Sequence, residues 1–193
     1  MNYLSVAKEY KIPYSKTVSP KNNCNWDGKK MNIKGLKQHS ICHEISHWIL
    51  APKSRRLIPE YGLGSGPNSN QSTYIKALNA IGKVDYRMEY SKSMREEIET
   101  CVLEFCITAF CGKNLLWSMK DRNFIITDLY KHKTNLVWES PNIADDFVEI
   151  INQLKAKRII NKDWIPVKLV KYSDEDSLKR MIKFKKFVSS LNG

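Results

Sequence analysis

Residues 38–50 read QHSICHEISHWIL, a run whose pattern predicts an α-helix with paired histidines. The apolar positions of this run recur at helical spacing, at Ile41, Ile45, Trp48 and Ile49. His43 and His47 lie four residues apart, so their side chains project about 40° apart around the helix axis and both rings can reach one ion. The run therefore predicts a helix that carries two ligands of a metal site.

Glu44 lies between the two histidines and completes a His-Glu-x-x-His motif. In zinc metallopeptidases that carry this motif the glutamate takes a proton from a metal-bound water, which makes Glu44 the candidate catalytic residue. A surface helix with two solvated histidines is the alternative, and the apolar neighbours of the motif argue against it. His39 precedes His43 by one turn and is a further candidate, either as a ligand or as a residue that supports one.

A second long helix is predicted from Ser93 to Cys111. Ser93 and Glu96 have the spacing of a capping box at its start, and Gly112 is suited to end it. This helix is the obvious source of the remaining protein ligand, because a catalytic ion usually has three protein ligands and one open position.

Two glutamates of this second helix share one of its faces. Glu97 and Glu104 lie seven residues apart, and Cys101 falls between them on the same face. One carboxylate could bind the ion while the other supports a histidine. We expect Glu97 to be the ligand and Glu104 to be the supporting residue, with the reverse assignment left open.

Two metal chemistries fit two histidines and a carboxylate. The set binds Zn²⁺ in metallopeptidases, and it binds non-haem Fe²⁺ in oxygenases, where open positions remain. The His-Glu-x-x-His motif alone favours the peptidase. In both cases we expect a mainly α fold (α+β with a few short strands) in which the two helices form a zincin-like pair around the ion.

The residues around the motif resemble the elongation factor P hydroxylase family. The features that carry the resemblance are His43–Trp48, the paired Arg55 and Arg56, the run Leu57–Gly62, and Glu97 followed by Leu103–Phe105. They fall within residues 39–66 and 95–106, less than a third of the chain. The resemblance implies an iron-dependent hydroxylase that acts on a protein side chain, such as a lysine of a translation factor.

The resemblance also implies roles for the residues of the motif. His43, His47 and Glu97 would be the ligands of Fe²⁺. Glu44 would orient the site instead of acting as a hydrolytic base. On physical grounds, Arg55 and Arg56, which follow the first helix closely, could clamp a carboxylate or phosphate of the substrate through their planar guanidinium groups. Two exposed, solvated arginines are the alternative.

Composition and net charge indicate the kinds of partner and the cellular compartment that suit this protein. The chain has 193 residues and a net charge of +12, which attracts an acidic partner or a ribonucleoprotein. A basic protein that binds nucleic acid or the ribosome, with a structural metal, is therefore a further alternative. The five cysteines form no CxxC pair, which argues against a disulfide framework and favours a reduced, cytoplasmic protein. No apolar run is long enough to span a bilayer, so we expect no membrane partner.

We expect one metal-binding domain over residues 1–193, with a loop-rich segment at 1–30 and a helical part at 140–193. The remaining predicted helices cover residues 1–12, 71–81, 123–132, 144–158 and 174–191. Short extended segments are predicted at 31–33, 84–90 and 164–170.

Overall fold

The computed structural model of the chain describes residues 1–20, 24–62, 86–115 and 143–190, with the side chains of 86–95 and 143–146 left out. The fold is mainly α, as predicted. Its helices are α1 (Tyr3–Glu9), α2 (Gln38–Leu50), α3 (Tyr86–Phe110), α4 (Ile143–Ala156) and α5 (Glu175–Ser189). The strands β1 (Tyr14–Ser15) and β2 (Met31–Asn32) pair in parallel, and short 3-10 turns cover Arg55–Leu57, Pro59–Gly62 and Val167–Tyr172.

Helix α3 is the centre of the described fold. Every residue from Glu97 to Cys111 is buried, and the helix contacts α2, α4 and α5. A helix that is covered on all sides belongs in a core. Three acidic residues of α3 (Glu97, Glu99 and Glu104) are therefore buried as well, and buried carboxylates require partners.

Helix α2 has the bounds that the sequence predicts, and it packs along α3. Cys42 and Ile45 are fully buried between the two helices. The Cys42 thiol lies 3.8 Å from both the Glu104 carbonyl and the Thr108 hydroxyl, which shows how closely the two backbones approach. This contact fixes the face of α2 that carries the histidines against the acidic face of α3.

The start of α3 differs from the prediction. The helix already includes Tyr86, so Ser93 lies inside it and does not cap it, and residues 86–90 are helical instead of extended. A capping box is a local signal, and helix extension through good helix formers overrides it at little cost. The other end is as predicted, since Gly112 has a φ of 66° and Arg180 donates to the Phe110 carbonyl.

Helices α4 and α5 cover α3 from the C-terminal part of the chain. Their shared core is an aromatic cluster of Phe105, Phe147, Trp164 and Phe184, with ring centroids 5.7 to 6.4 Å apart. Asp174 and Ser177 form a capping box at the start of α5. The strand predicted at 164–170 is wrong, because Pro166 lacks an N–H donor and precedes a 3-10 turn.

The helices predicted over 1–12, 144–158 and 174–191 and the strand near 31–33 are confirmed within a few residues. The helices predicted over 71–81 and 123–132 lie outside the described residues. In the described part of the chain, no helix has the length and apolar character needed to cross a membrane. One domain over 1–193 remains a prediction.

The aromatic cluster should contribute strongly to stability. Phe184→Ala removes a buried ring from its centre, and we expect the free energy of unfolding to fall by about 3 to 5 kcal/mol. Phe187→Ala is the matched control on the same helix, where the ring is 37% exposed. It should change the free energy of unfolding by about 0.5 kcal/mol or less in urea titrations. Equal losses in the two variants would contradict the described packing.

Candidate metal centre

Three side-chain atoms from α2 and α3 meet at one buried point. The Nε2 atoms of His43 and His47 lie 3.0 Å apart, and Glu97 Oε2 lies 3.3 Å from each of them. All three residues are buried. The residues that the sequence proposes as ligands therefore come together, and the structure places Glu97, not Glu104, at this point.

The triangle has the dimensions of a set of metal ligands. Nitrogen and oxygen ligands at about 2.0 to 2.2 Å from a tetrahedral ion stand about 3.3 Å from one another. Glu97 Oε2 is buried, and none of its contacts among the described residues has the geometry of a hydrogen bond. An ion at the point that the three atoms face would satisfy this oxygen, so the residues fit a metal.

The outer nitrogens of both histidines are held by α3. His43 Nδ1 lies 3.0 Å from Glu104 Oε2, and His47 Nδ1 lies 3.2 Å from Thr100 Oγ1. The Thr100 hydroxyl donates to the Glu96 carbonyl at 2.8 Å, so its oxygen accepts from His47. The proton of each ring therefore sits on Nδ1, and each Nε2 presents a lone pair to the centre.

Three hydrogen-bond acceptors consequently face one another in a buried site. Burial by itself raises the pKa of Glu97, but a positive charge on the imidazole of His47 or His43, together with hydrogen bonds from these rings, outweighs burial and holds this pKa well below its usual range. Glu97 is therefore ionised when a cation lies at this point. Two lone pairs and a carboxylate in contact repel one another unless a cation lies between them, and that cation can be a proton or a metal ion.

Glu44 follows His43 on α2 and belongs to neither group of possible ligands among the described residues. It is buried, its Oε1 accepts a hydrogen bond from Asn25 Nδ2 at 3.0 Å, and its Oε2 has no hydrogen-bond partner among the described residues. The carboxylate is thus fixed by one of its two oxygens. Its catalytic role remains a prediction.

A stack of aromatic rings lines the side of the centre next to His47. The Tyr61 ring lies between His47, at 5.5 Å between ring centroids, and Trp26, at 5.4 Å. The Tyr61 hydroxyl donates to the backbone carbonyl of Glu44 at 3.1 Å. Since Trp26 and Tyr61 are both buried, the stack keeps water away from this side of the site.

Glu60 ties this aromatic stack to the loop before β2. Its Oε1 accepts from the Trp26 amide at 2.9 Å, and its own amide donates to the Trp26 carbonyl, also at 2.9 Å. Burial, with the negative charge of Glu44 nearby, raises the pKa of Glu60 to about 8. Near neutral pH this carboxyl therefore carries a proton in a large share of the molecules.

The paired arginines contact the protein itself. Arg55 makes two hydrogen bonds of 2.7 Å to the Glu96 carboxylate. The Arg56 guanidinium lies 3.8 Å from the centre of the Trp48 ring and donates to the Ala51 carbonyl at 3.0 Å, which caps the end of α2. Substrate binding by these arginines stays a prediction, while the geometry gives each of them an internal role.

The remaining candidates surround the centre. Cys101 groups with His43 and Glu104 as a second possible set of ligand atoms, all within 4.8 Å of one another. Burial raises the pKa of the Cys101 thiol to about 11, so it stays protonated near neutral pH. His39 is buried but belongs to neither group of possible ligands among the described residues. All five cysteines are free thiols.

Five residues of the site had no role proposed from the sequence, namely Asn25, Trp26 and Thr100, and also Glu60 and Tyr61, which fall in the run that resembles the hydroxylase family. Thr100 carried a usable signal, because it lies three residues after Glu97 and so shares its helix face. Asn25 and Trp26 lie in a loop, where no periodicity indicates which residues turn inward.

Comparison with known proteins adds no relative. No protein-family model matches this chain, and neither a curated protein nor a solved structure matches it. The metal centre therefore rests on the geometry of its own residues.

The three-atom site makes a direct prediction about metal binding. Glu97→Ala should abolish stoichiometric binding of Co²⁺ or Zn²⁺, and Glu104→Gln should weaken binding about 10- to 100-fold by releasing His43 Nδ1. Glu99→Gln is the matched control, since Glu99 is buried on the same helix and pairs with Lys157. Calorimetric titration measures all three variants. Full binding by Glu97→Ala, or equal loss with Glu99→Gln, would contradict the assignment.

The raised pKa of Glu60 predicts how stability depends on pH. The unfolded chain releases this proton near 4.5, whereas the folded protein keeps it up to about 8. The contribution of Glu60 is therefore complete below the lower value and is lost as pH rises through the higher one. Urea titrations of metal-free protein should show falling stability across this window.

Glu60→Gln should remove much of that decline, because the amide stays neutral at every pH. Glu175→Gln, at an 82% exposed side chain, is the control and should keep the decline. An unchanged pH profile in Glu60→Gln would disprove the role of this carboxyl.

Proposed function

We propose that this chain is a metal-dependent hydroxylase that holds Fe²⁺ through His43, His47 and Glu97 and modifies a side chain of a protein substrate. The observation that carries the proposal is the triangle of two Nε2 atoms and one carboxylate oxygen. Two histidines and one carboxylate on one face of the ion leave its other positions open, which is the arrangement of non-haem Fe²⁺ oxygenases. The substrate residue would be a lysine, as in the elongation factor P hydroxylase family that the sequence resembles.

Bound in this site, Fe²⁺ would supply the activation of dioxygen that hydroxylation requires. The residues of the chain supply the rest. Glu104 and Thr100 keep a proton on the outer nitrogen of each histidine, so that the inner nitrogens remain ligands. Glu44 can hold a water at its second oxygen. Tyr61 limits the access of water from one side.

A zinc metallopeptidase remains the second candidate function, and Glu44 is the observation that favours it. One of its oxygens is fixed by Asn25 and the other is buried without a partner, as a general base for a metal-bound water requires. In that case the same three ligands would hold Zn²⁺.

The protein substrate would be an acidic partner, such as a translation factor. The net charge of +12 supports this proposal, as do the exposed lysines of α5. Opposite charges speed the encounter of two proteins, with an effect that weakens as salt increases. The same surface fits a ribonucleoprotein, in which case the substrate would be modified on the ribosome.

Metal content and oxygen incorporation together test the proposal. Protein purified without oxygen should contain about one Fe²⁺ per chain by elemental analysis, and His43→Ala should contain none. With isotopically heavy dioxygen, candidate acidic translation factors should gain the mass of one heavy oxygen atom on a side chain. Zinc in place of iron, with no oxygen gained by any candidate, would contradict the hydroxylase.

Glu44→Gln separates the two candidate functions. In a zinc peptidase this change should abolish cleavage and leave metal binding intact, because Glu44 is a base and not a ligand. In a hydroxylase it should leave iron bound and reduce hydroxylation without creating or removing peptide cleavage.

A further inference from the structure

Arg55 joins the aromatic side of the metal centre to helix α3. Its Nη1 and Nη2 atoms donate to the two oxygens of Glu96, at 2.7 Å each. Its Nε donates to the backbone carbonyl of Tyr61 at 2.8 Å. The two side chains are only 20% and 26% exposed, so solvent screens the ion pair less than it would on the surface.

The two partners of Arg55, Tyr61 and Glu96, are each connected to His47. From Tyr61, the path continues through the ring that lies against the His47 imidazole. From Glu96, it continues through the backbone carbonyl, which accepts from Thr100, whose oxygen in turn lies 3.2 Å from His47 Nδ1. These contacts therefore form a closed ring around one candidate ligand, His47. Arg55 belongs to neither α2 nor α3, and its side chain contacts both Tyr61 and Glu96.

We propose that Arg55 and Glu96 form a positioning pair that sets the orientation of the His47 ring, and that Arg55 acts here as a support of the metal centre. This inference rests on the proposed function, because it assumes that His47 is a ligand. Neither residue touches the three ligand atoms. They act on His47 through Tyr61 on one side and Thr100 on the other.

The backbone at Tyr61 explains why such support is needed. Glu60 and Tyr61 have φ values of 49° and 54°, in the left-handed region that side chains disfavour. Residues in this region keep their conformation only when their surroundings hold them. The hydrogen bond from Arg55 to the Tyr61 carbonyl is one such restraint, and the hydrogen bond from the Glu60 amide to the Trp26 carbonyl is another.

The geometry also explains why the residue is an arginine. A planar guanidinium can place two N–H groups on a carboxylate and keep its Nε–H for a carbonyl at the side. The ammonium of a lysine keeps the charge but cannot make these three bonds at once. Arg55→Lys therefore separates the effect of geometry from the effect of charge.

The test is cobalt(II) binding to the metal-free protein, read from the visible spectrum of the bound ion. Arg55→Lys and Glu96→Gln should each lower the affinity about tenfold and change the spectrum, as expected for residues that support a ligand. The double variant should lose no more than the larger single loss, because both changes break one interaction. Lys157→Ala is the control, since it removes an ion pair to Glu99 on the same helix and should leave the spectrum unchanged.

A second measurement does not need the metal. Nitrogen NMR of isotopically labelled histidine should show His47 protonated at Nδ1 in the wild type and a smaller fraction protonated at Nδ1 in Arg55→Lys. Circular dichroism establishes that each variant is folded before its spectra are compared. A merely structural role would lower the stability of the protein without moving this tautomer.

The outcomes separate the inference from the proposed function. If the wild type binds cobalt(II) and the variants match it in affinity, spectrum and tautomer, the positioning role is overturned and the metal centre stands. Additive losses in the double variant would also overturn it, because Arg55 and Glu96 would then act separately. If the wild type binds neither cobalt(II) nor Zn²⁺, the proposed metal centre is disproved, and the positioning role is disproved with it.

Discussion

The contact on which the rest of the structure depends is the approach of two imidazole nitrogens and one carboxylate oxygen to about the distance of a hydrogen bond. None of the three atoms donates to another when the protons of both rings lie on Nδ1. Such a group is unfavourable in a buried position unless a positive charge compensates it. The packing of α2 against α3 brings the atoms together, and a bound cation would turn their repulsion into attraction.

The support of this site comes from buried polar residues of α3. Glu97, Thr100 and Glu104 follow one face of the helix, and each meets a histidine of α2. The apolar residues of α3 pack against α2, α4 and α5 on its other sides. Helix α3 therefore provides the core of the described fold, one of the three candidate ligands and the residues that support the other two. Changes in its core packing should affect metal binding as well as stability.

The sequence predicted best the helices in which similar residues recur at a regular helical spacing. Helix α2 was predicted with its observed bounds, and the shared face of Glu97 and Glu104 followed from their spacing of seven residues. The choice between these two as the ligand needed the structure. The parts that the sequence did not predict depend on contacts between distant segments. Arg55, which the sequence proposed as a substrate-binding residue, contacts Glu96, and no local pattern marks a partner 41 residues away.

The most direct test of the central claim is an X-ray structure of the cobalt(II) complex, with anomalous diffraction at the absorption edge of the metal. We expect one anomalous peak within about 2.0 to 2.2 Å of His43 Nε2, His47 Nε2 and Glu97 Oε2. Glu104 should remain on His43 Nδ1, outside the ligand set. A peak at any other position, or an ion bound by Glu104 and Cys101 in place of Glu97, would disprove this ligand assignment.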